Sequence, residues 1–185
     1  MSARLLVLGA VNRNPGTHGY DVQRELKAWR AETWSQLRSG SIYHALTQLE
    51  KEGLLTTEGP EQSPHGPAKT RYTITARGQD ELLVLVRRAL TSLDQEEFAG
   101  GLALMDKLPR DEVIALVRQR RQAHREIEAY LDSLPRESDP ETPATHPEII
   151  GSWTAMFRGT AGWLDAFIER LDAGAYRFEG ESPRT

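Results

Sequence analysis

The chain has 185 residues, 38% of them apolar and 27% charged, with a net charge of −4. That composition is ordinary for a globular protein of one moderate domain, or a small domain with a helical extension. It has no cysteine, which excludes disulfides, thiolate metal sites and cysteine nucleophiles. No run approaches the roughly 18 apolar residues of a membrane span. Leu5 to Val11 lacks a signal-cleavage pattern, so the expected location is the cytoplasm, with no membrane partner. Charge is uneven. Residues 1–90 hold 12 Lys and Arg against 9 Asp and Glu, a net +3, leaving −7 for the rest. A basic front and an acidic back suit a DNA-facing module joined to an assembly module.

The apolar run Leu5–Val11 predicts a short first helix, stopped by Pro15-Gly16. Thr17 or His18 begins a second, in which Tyr20, Val22, Leu26 and Trp29 keep helical spacing. Arg30 to Ser39 reads as a polar link. The next helix is SGSIYHALTQLEKEGLL, with Ser39 or Ser41 as cap. Ile42, Leu46 and Leu49 form its apolar stripe, and Gly53 stands where a left-handed residue ends the helix. Leu54–Glu58 predicts a strand, and 59–68 is a loop rich in proline and glycine. Lys69–Thr75 is a second strand with Tyr72 and Ile74 on one face. Thr75 then caps a helix running to about Leu93.

The order helix, helix, helix, hairpin, helix predicts a winged helix-turn-helix over 1–93. The third helix is the one shaped to enter a major groove about 12 Å wide. Its outward residues, Ser41, Tyr43, His44, Thr47, Gln48 and Lys51, offer donors and acceptors to bases and phosphates. Lys69 and Arg71 at the root of the wing supply phosphate contacts. Tyr43 has a second reading, as a ring packed on the second helix.

The remainder predicts helices only, over 94–175, with 176–185 as a flexible tail. One helix covers 97–108 despite Gly100-Gly101. Another runs from Pro109, at its first position, to about Leu134. The last runs from Pro147 to about Ala173. Val113, Leu116, Val117 and Ile127 on one long helix, with Trp153, Phe157, Trp163 and Phe167 on the other, keep steps of three and four. Such stripes make an antiparallel hairpin and a dimer contact. Trp153 and Phe157 are also the candidate lining of an effector pocket. Arg118, Arg120 and Arg121 form a basic run, read as a solvated helix face or a second DNA-facing patch; Arg120 and His124, which interrupt the stripe, are alternatively buried polar groups that set register at the dimer contact. The fold class is therefore mainly α, a winged helix-turn-helix followed by a helical dimerisation region. The five histidines show no i, i+4 pair, and no phosphate loop or nucleophile elbow is present. No enzyme, catalytic residue, cofactor or metal is expected.

The segments HGYDVQREL, SGSIYHALTQLEKEGLL and KTRYTITARG resemble the PadR-like winged-helix regulators. The features that carry the resemblance are Gly19-Tyr20, Ser39 to Leu54, and Arg71 to Gly78. It implies a homodimer on a pseudo-palindromic operator in double-stranded DNA, with repression relieved by a small-molecule effector. It places Ser39, Ser41, Tyr43 and His44 at the DNA end of the recognition helix, and Lys69 and Arg71 in the wing. The alternative is a winged-helix module for protein contacts alone.

Overall fold

In α1 (Ala3–Arg13) every residue from Leu5 to Val11 is buried. A helix apolar on all sides must be surrounded, and α1 is packed by α2 (Gly19–Ala28), α4 (Ser39–Lys51), α5 (Ala76–Thr91) and strand β3 (Lys69–Ile74). The computed structural model describes residues 3–61, 69–134 and 146–181. The chain divides into two compact units, Met1–Leu108 and Pro109–Thr185.

In the first unit the winged helix-turn-helix is present, with two additions. Thr17–His18, expected to open the second helix, instead forms a two-residue strand, β1. It pairs antiparallel with β3, which pairs on its other edge with β2 (Leu55–Glu61), giving the order β1-β3-β2. Two residues hold too little periodicity to announce a strand; only the pairing with β3 creates it. Within the polar link, a single turn of helix, α3 (Ala31–Trp34), leaves the end of α2. Gly53 ends α4 at φ +71°, and Thr75 caps α5 by accepting a bond from the Gly78 N–H, both as the sequence predicts.

The boundary expected at residue 93 moves. Helix α6 (Gln95–Ala103) and the tight turn Met105–Lys107 pack on the winged unit and bury Phe98, Leu104 and Leu108. A Cβ on Gly101 would lie 2.9 Å from the Leu90 backbone nitrogen. The glycine that weakens α6 by propensity thus allows it to cross α5 at close range.

The second unit is a helical hairpin of α7 (Arg110–Ser133) and α8 (His146–Asp172). Pro109 is the cap of α7, one position before the expected one. Arg118 pairs with Asp172, Arg121 and Arg125 with Asp165, and Arg158 with Glu128 and Asp132. The numbers fall on α8 as they rise on α7, so the helices are antiparallel. Val113, Val117 and Phe167, expected at a dimer contact, are buried within the single chain, together with Ile114, Leu131, Leu164 and Leu171. Leu116 and Ile127 are half-buried. Arg120 and His124 are buried, at 1% and 4% exposure, so Arg120 does not belong to a solvated face.

The expected tail is also corrected through residue 181. Phe178 is 3% exposed. Arg110 holds Glu181 through two bonds, Nε to Oε1 at 2.9 Å and Nη2 to Oε2 at 2.6 Å. It also donates to the Leu171 and Tyr176 carbonyls and lies 4.6 Å over the Phe178 ring. The glutamate and the phenylalanine are three residues apart, too short a pattern to stand out, yet one arginine side chain anchors both.

Candidate nucleic-acid interface

Helix α4 is built to show one face and bury the other. Ile42, Ala45, Leu46 and Leu49 are buried against the unit's core. Its N-cap is Arg38, one residue before Ser39 and three before Ser41, the two predicted caps. The Ser41 hydroxyl accepts from the Arg38 N–H at 3.0 Å and donates to the Arg38 carbonyl at 2.7 Å. This is the reciprocal half of a capping box. Ser41 therefore shapes the helix start, while Ser39, exposed at the first turn, accepts a bond from Gln23 Nε2 at 2.6 Å. Gln23 ties the supporting helix to the helix it supports. Nothing in its local sequence marks it, because its partner lies sixteen residues away.

The exposed side of α4 has two parts. His44, Thr47 and Lys51, at steps of three and four, are exposed along one line, with Gln48 half-buried beside them. The Thr47 hydroxyl donates to the Tyr43 carbonyl at 3.1 Å, which leaves its lone pairs to accept. Tyr43 and Glu50, seven residues apart, share a second line. Tyr43 is packed in part on the second helix. The residue is 47% exposed, and its ring covers Gly19, where a Cβ would come within 2.8 Å of Tyr43 Cε1.

The second line is joined to the wing. The Thr57 hydroxyl of β2 donates to Glu50 Oε1 at 2.8 Å. Directly across the ladder from Thr57 lies Tyr72, which also pairs with Thr17 of β1. Burial pushes the Tyr72 phenol above its ordinary range, and the nearby Glu50 carboxylate and Tyr43 add to the shift.

Arg71 sits in the central strand between His18 and Glu58. Its Nη1 donates to the Gly16 carbonyl at 3.3 Å. The guanidinium is thus partly engaged at the root of the sheet. Lys69 begins β3 opposite Glu61; its side chain, and the wing tip at 62–68, lie outside the described residues. Arg38, which the sequence reading passed over, adds an exposed cation at the α4 N-terminus. There the unpaired N–H groups favour anions.

Of the candidate effector residues, Trp153 is 55% exposed on α8, whereas the Phe157 ring lies 5.1 Å from that of His124. The two face different surroundings. Among the described residues no cluster of three or more His, Asp or Glu is placed to hold a metal, and no helix is long and apolar enough to cross a membrane.

Residues 7–83 match the family model described as the transcriptional regulator PadR-like family. Over that span the chain is similar to the PadR-like family. The match runs from within α1 to the middle of α5, and so contains the whole of α4 and the described wing. Comparison with curated proteins gives no match. Among solved structures, the chain is similar to Bacillus subtilis PadR in complex with operator DNA. That likeness has 20% identity, covers 91% of this chain and 98% of that one, and has a TM-score of 0.41. It is also similar to smu.1604c of Streptococcus mutans, with 23% identity, coverage of 91% and 99%, and a TM-score of 0.44. A third likeness is to Bacillus subtilis PadR in complex with p-coumaric acid, with 20% identity, coverage of 93% and 99%, and a TM-score of 0.37. In the winged helix of this chain, α4 and the wing share a seam of four side chains, Tyr43, Glu50, Thr57 and Tyr72.

Proposed function

We propose that this PadR-like chain is a sequence-specific regulator that reads duplex DNA as a homodimer and represses transcription until a small molecule releases it. The single observation that supports DNA reading best is the exposed line His44, Thr47 and Lys51 on α4, whose opposite face is buried. A helix so mounted offers hydrogen-bonding groups to base edges while its core face holds it rigid. Ser39, Gln48 and Tyr43 flank that line, and Arg38, Lys69 and Arg71 are the cations assigned to phosphates. In this reading the first unit binds DNA and the second assembles the dimer, in the cytoplasm.

The dimer reading is supported by α8. Ile149, Trp153, Met156 and Trp163 are all exposed. Their steps of four, three and seven make one continuous row, and such a row on a solvent-facing helix fits a second copy. Two recognition helices brought together by a two-fold axis would meet successive major grooves about 34 Å apart.

The test is a mobility-shift assay on the promoter DNA of the chain's own gene and of its divergent neighbours, with unrelated duplex as competitor. A specific shift that unrelated DNA does not abolish is expected. If every duplex shifts alike or none shifts, the module serves protein contacts instead.

A further inference from the structure

The recognition helix carries a carboxylate, Glu50, on the side that adjoins the wing. A negative charge at the edge of a surface that approaches phosphates repels them. Its presence calls for a local task, and the geometry supplies one. The Glu50 carboxylate accepts the Thr57 hydroxyl at 2.8 Å, across the gap between α4 and β2. Thr57 and Tyr72 are directly opposite in the ladder, so both side chains stand on the sheet face turned to α4. Tyr43, two turns before Glu50 on the same side of the helix, closes the seam and rests on Gly19, the residue after β1. Helix, both wing strands and β1 therefore meet at one cluster. Thr57 lies near the root of β2, three residues past Gly53-Leu54, where the chain leaves α4. A change of tilt at the root shifts the described strands 55–61 and 69–74 against α4.

We propose that Glu50, acting through the Thr57 hydroxyl, is the positioning residue that sets the spacing between wing and recognition helix. With the bond made, Arg71 reaches backbone phosphate while His44, Thr47 and Lys51 lie in the groove; without it the helix still docks and the wing does not. The inference rests on the DNA-binding reading above. It adds that the two DNA-contacting elements are coupled by an acid that itself contacts no DNA.

The experiment uses the full chain, a promoter duplex that it shifts, and fluorescence anisotropy over a salt series. Thr57→Val keeps the shape and removes the donor. It is expected to weaken binding roughly three- to tenfold, the scale of one hydrogen bond, and to make the salt slope shallower by about one ion. Thr57→Ser restores both. Glu50→Gln keeps an acceptor and removes the charge, so it retains the slope and binds at least as tightly as the parent. Parental affinity and slope in Thr57→Val overturn the proposal. So does tighter binding by Thr57→Val and Glu50→Gln alike, which would make Glu50 a repelling charge and nothing more. Amide exchange reads the same coupling without DNA. Thr57→Val should speed exchange in 55–58 and 70–74 and leave α1 unchanged, with Thr57→Ser at the parental rate. Unchanged wing exchange overturns the coupling, whereas faster wing exchange in a chain that binds no duplex overturns only the DNA reading.

Discussion

Gly19 lies directly beneath the ring of Tyr43, so close that a Cβ at position 19 would come 2.8 Å from Tyr43 Cε1. Gly19 opens α2, and its φ is not positive, so nothing in the backbone itself demands glycine there. Alanine would ordinarily favour the helix by about 0.5–1 kcal/mol. The ring reverses that sign. Gly19→Ala is expected to destabilise the first unit by about 1–3 kcal/mol through overpacking, seen as a lower thermal midpoint. In a Tyr43→Ala background the same change should become neutral or stabilising. Additive effects in that cycle would show that the contact carries no strain.

Arg71 is bonded to the Gly16 carbonyl and lies beside Glu58 in the ladder, yet it remains the described cation of the wing strand. Replacing it with alanine should weaken DNA binding and reduce the salt slope by about one. Arg71→Lys should keep the slope, because the charge persists. A slope unchanged in Arg71→Ala would remove this residue from the phosphate contacts.

The exposed row on α8 predicts a concentration-dependent mass. Trp153→Glu combined with Met156→Lys places charges in its middle and should shift sedimentation from dimer to monomer. The helical signal should be retained, since both side chains are already exposed. A dimer that survives both changes uses another face.

Phe178 and Glu181 should matter to the stability of the second unit. Burying a phenylalanine stabilises by roughly 1.5–3 kcal/mol, and Arg110 adds a bidentate pair to Glu181. Phe178→Ala is expected to cost about 3 kcal/mol, and removing residues 176–185 should cost at least as much, both read from urea midpoints. A truncated chain as stable as the parent would return this segment to the status of a tail.

His124 makes the second unit sensitive to acid. Burial lowers its pKa from the ordinary 6.5, and the Arg120 charge one turn away lowers it further. Both its ring nitrogens lack a hydrogen-bond partner among the described residues, and its ring rests against Phe157. The unfolded imidazole binds its proton near pH 6.5, the folded one only at lower pH. Below about 6.5 the unfolded chain holds more protons, so stability falls as pH falls and levels off above that value. His124→Phe should flatten this part of the urea-midpoint profile between pH 5 and 8. An identical profile in the variant would assign the acid sensitivity elsewhere.

Much of the winged unit was legible because its signals are local. The stripe Ile42, Leu46, Leu49 and the left-handed Gly53 bound α4, and Thr75 caps α5, each through residues within a turn of one another. The candidate site was legible as a set of residue types, but its division was not. Tyr43 read either as part of the outward face or as a ring packed on the second helix, and only contact with Gly19 shows that its ring lies against the start of α2. Gln23, Glu50 and Thr57 escaped notice because a polar residue on a polar face carries no pattern until its partner is known.

The order of elements and the apolar side of each helix follow from local pattern, since periodicity and caps act over a few residues. The tertiary structure alone decided where those faces find partners. It made a strand of Thr17–His18 by pairing them with β3, joined α6 to the winged unit through Gly101, and put Val113, Val117 and Phe167 inside one chain's hairpin while leaving Trp153 and Trp163 exposed. A hydrophobic stripe specifies that burial must occur; the choice between burial within a chain and burial between chains depends on which surfaces meet first in space.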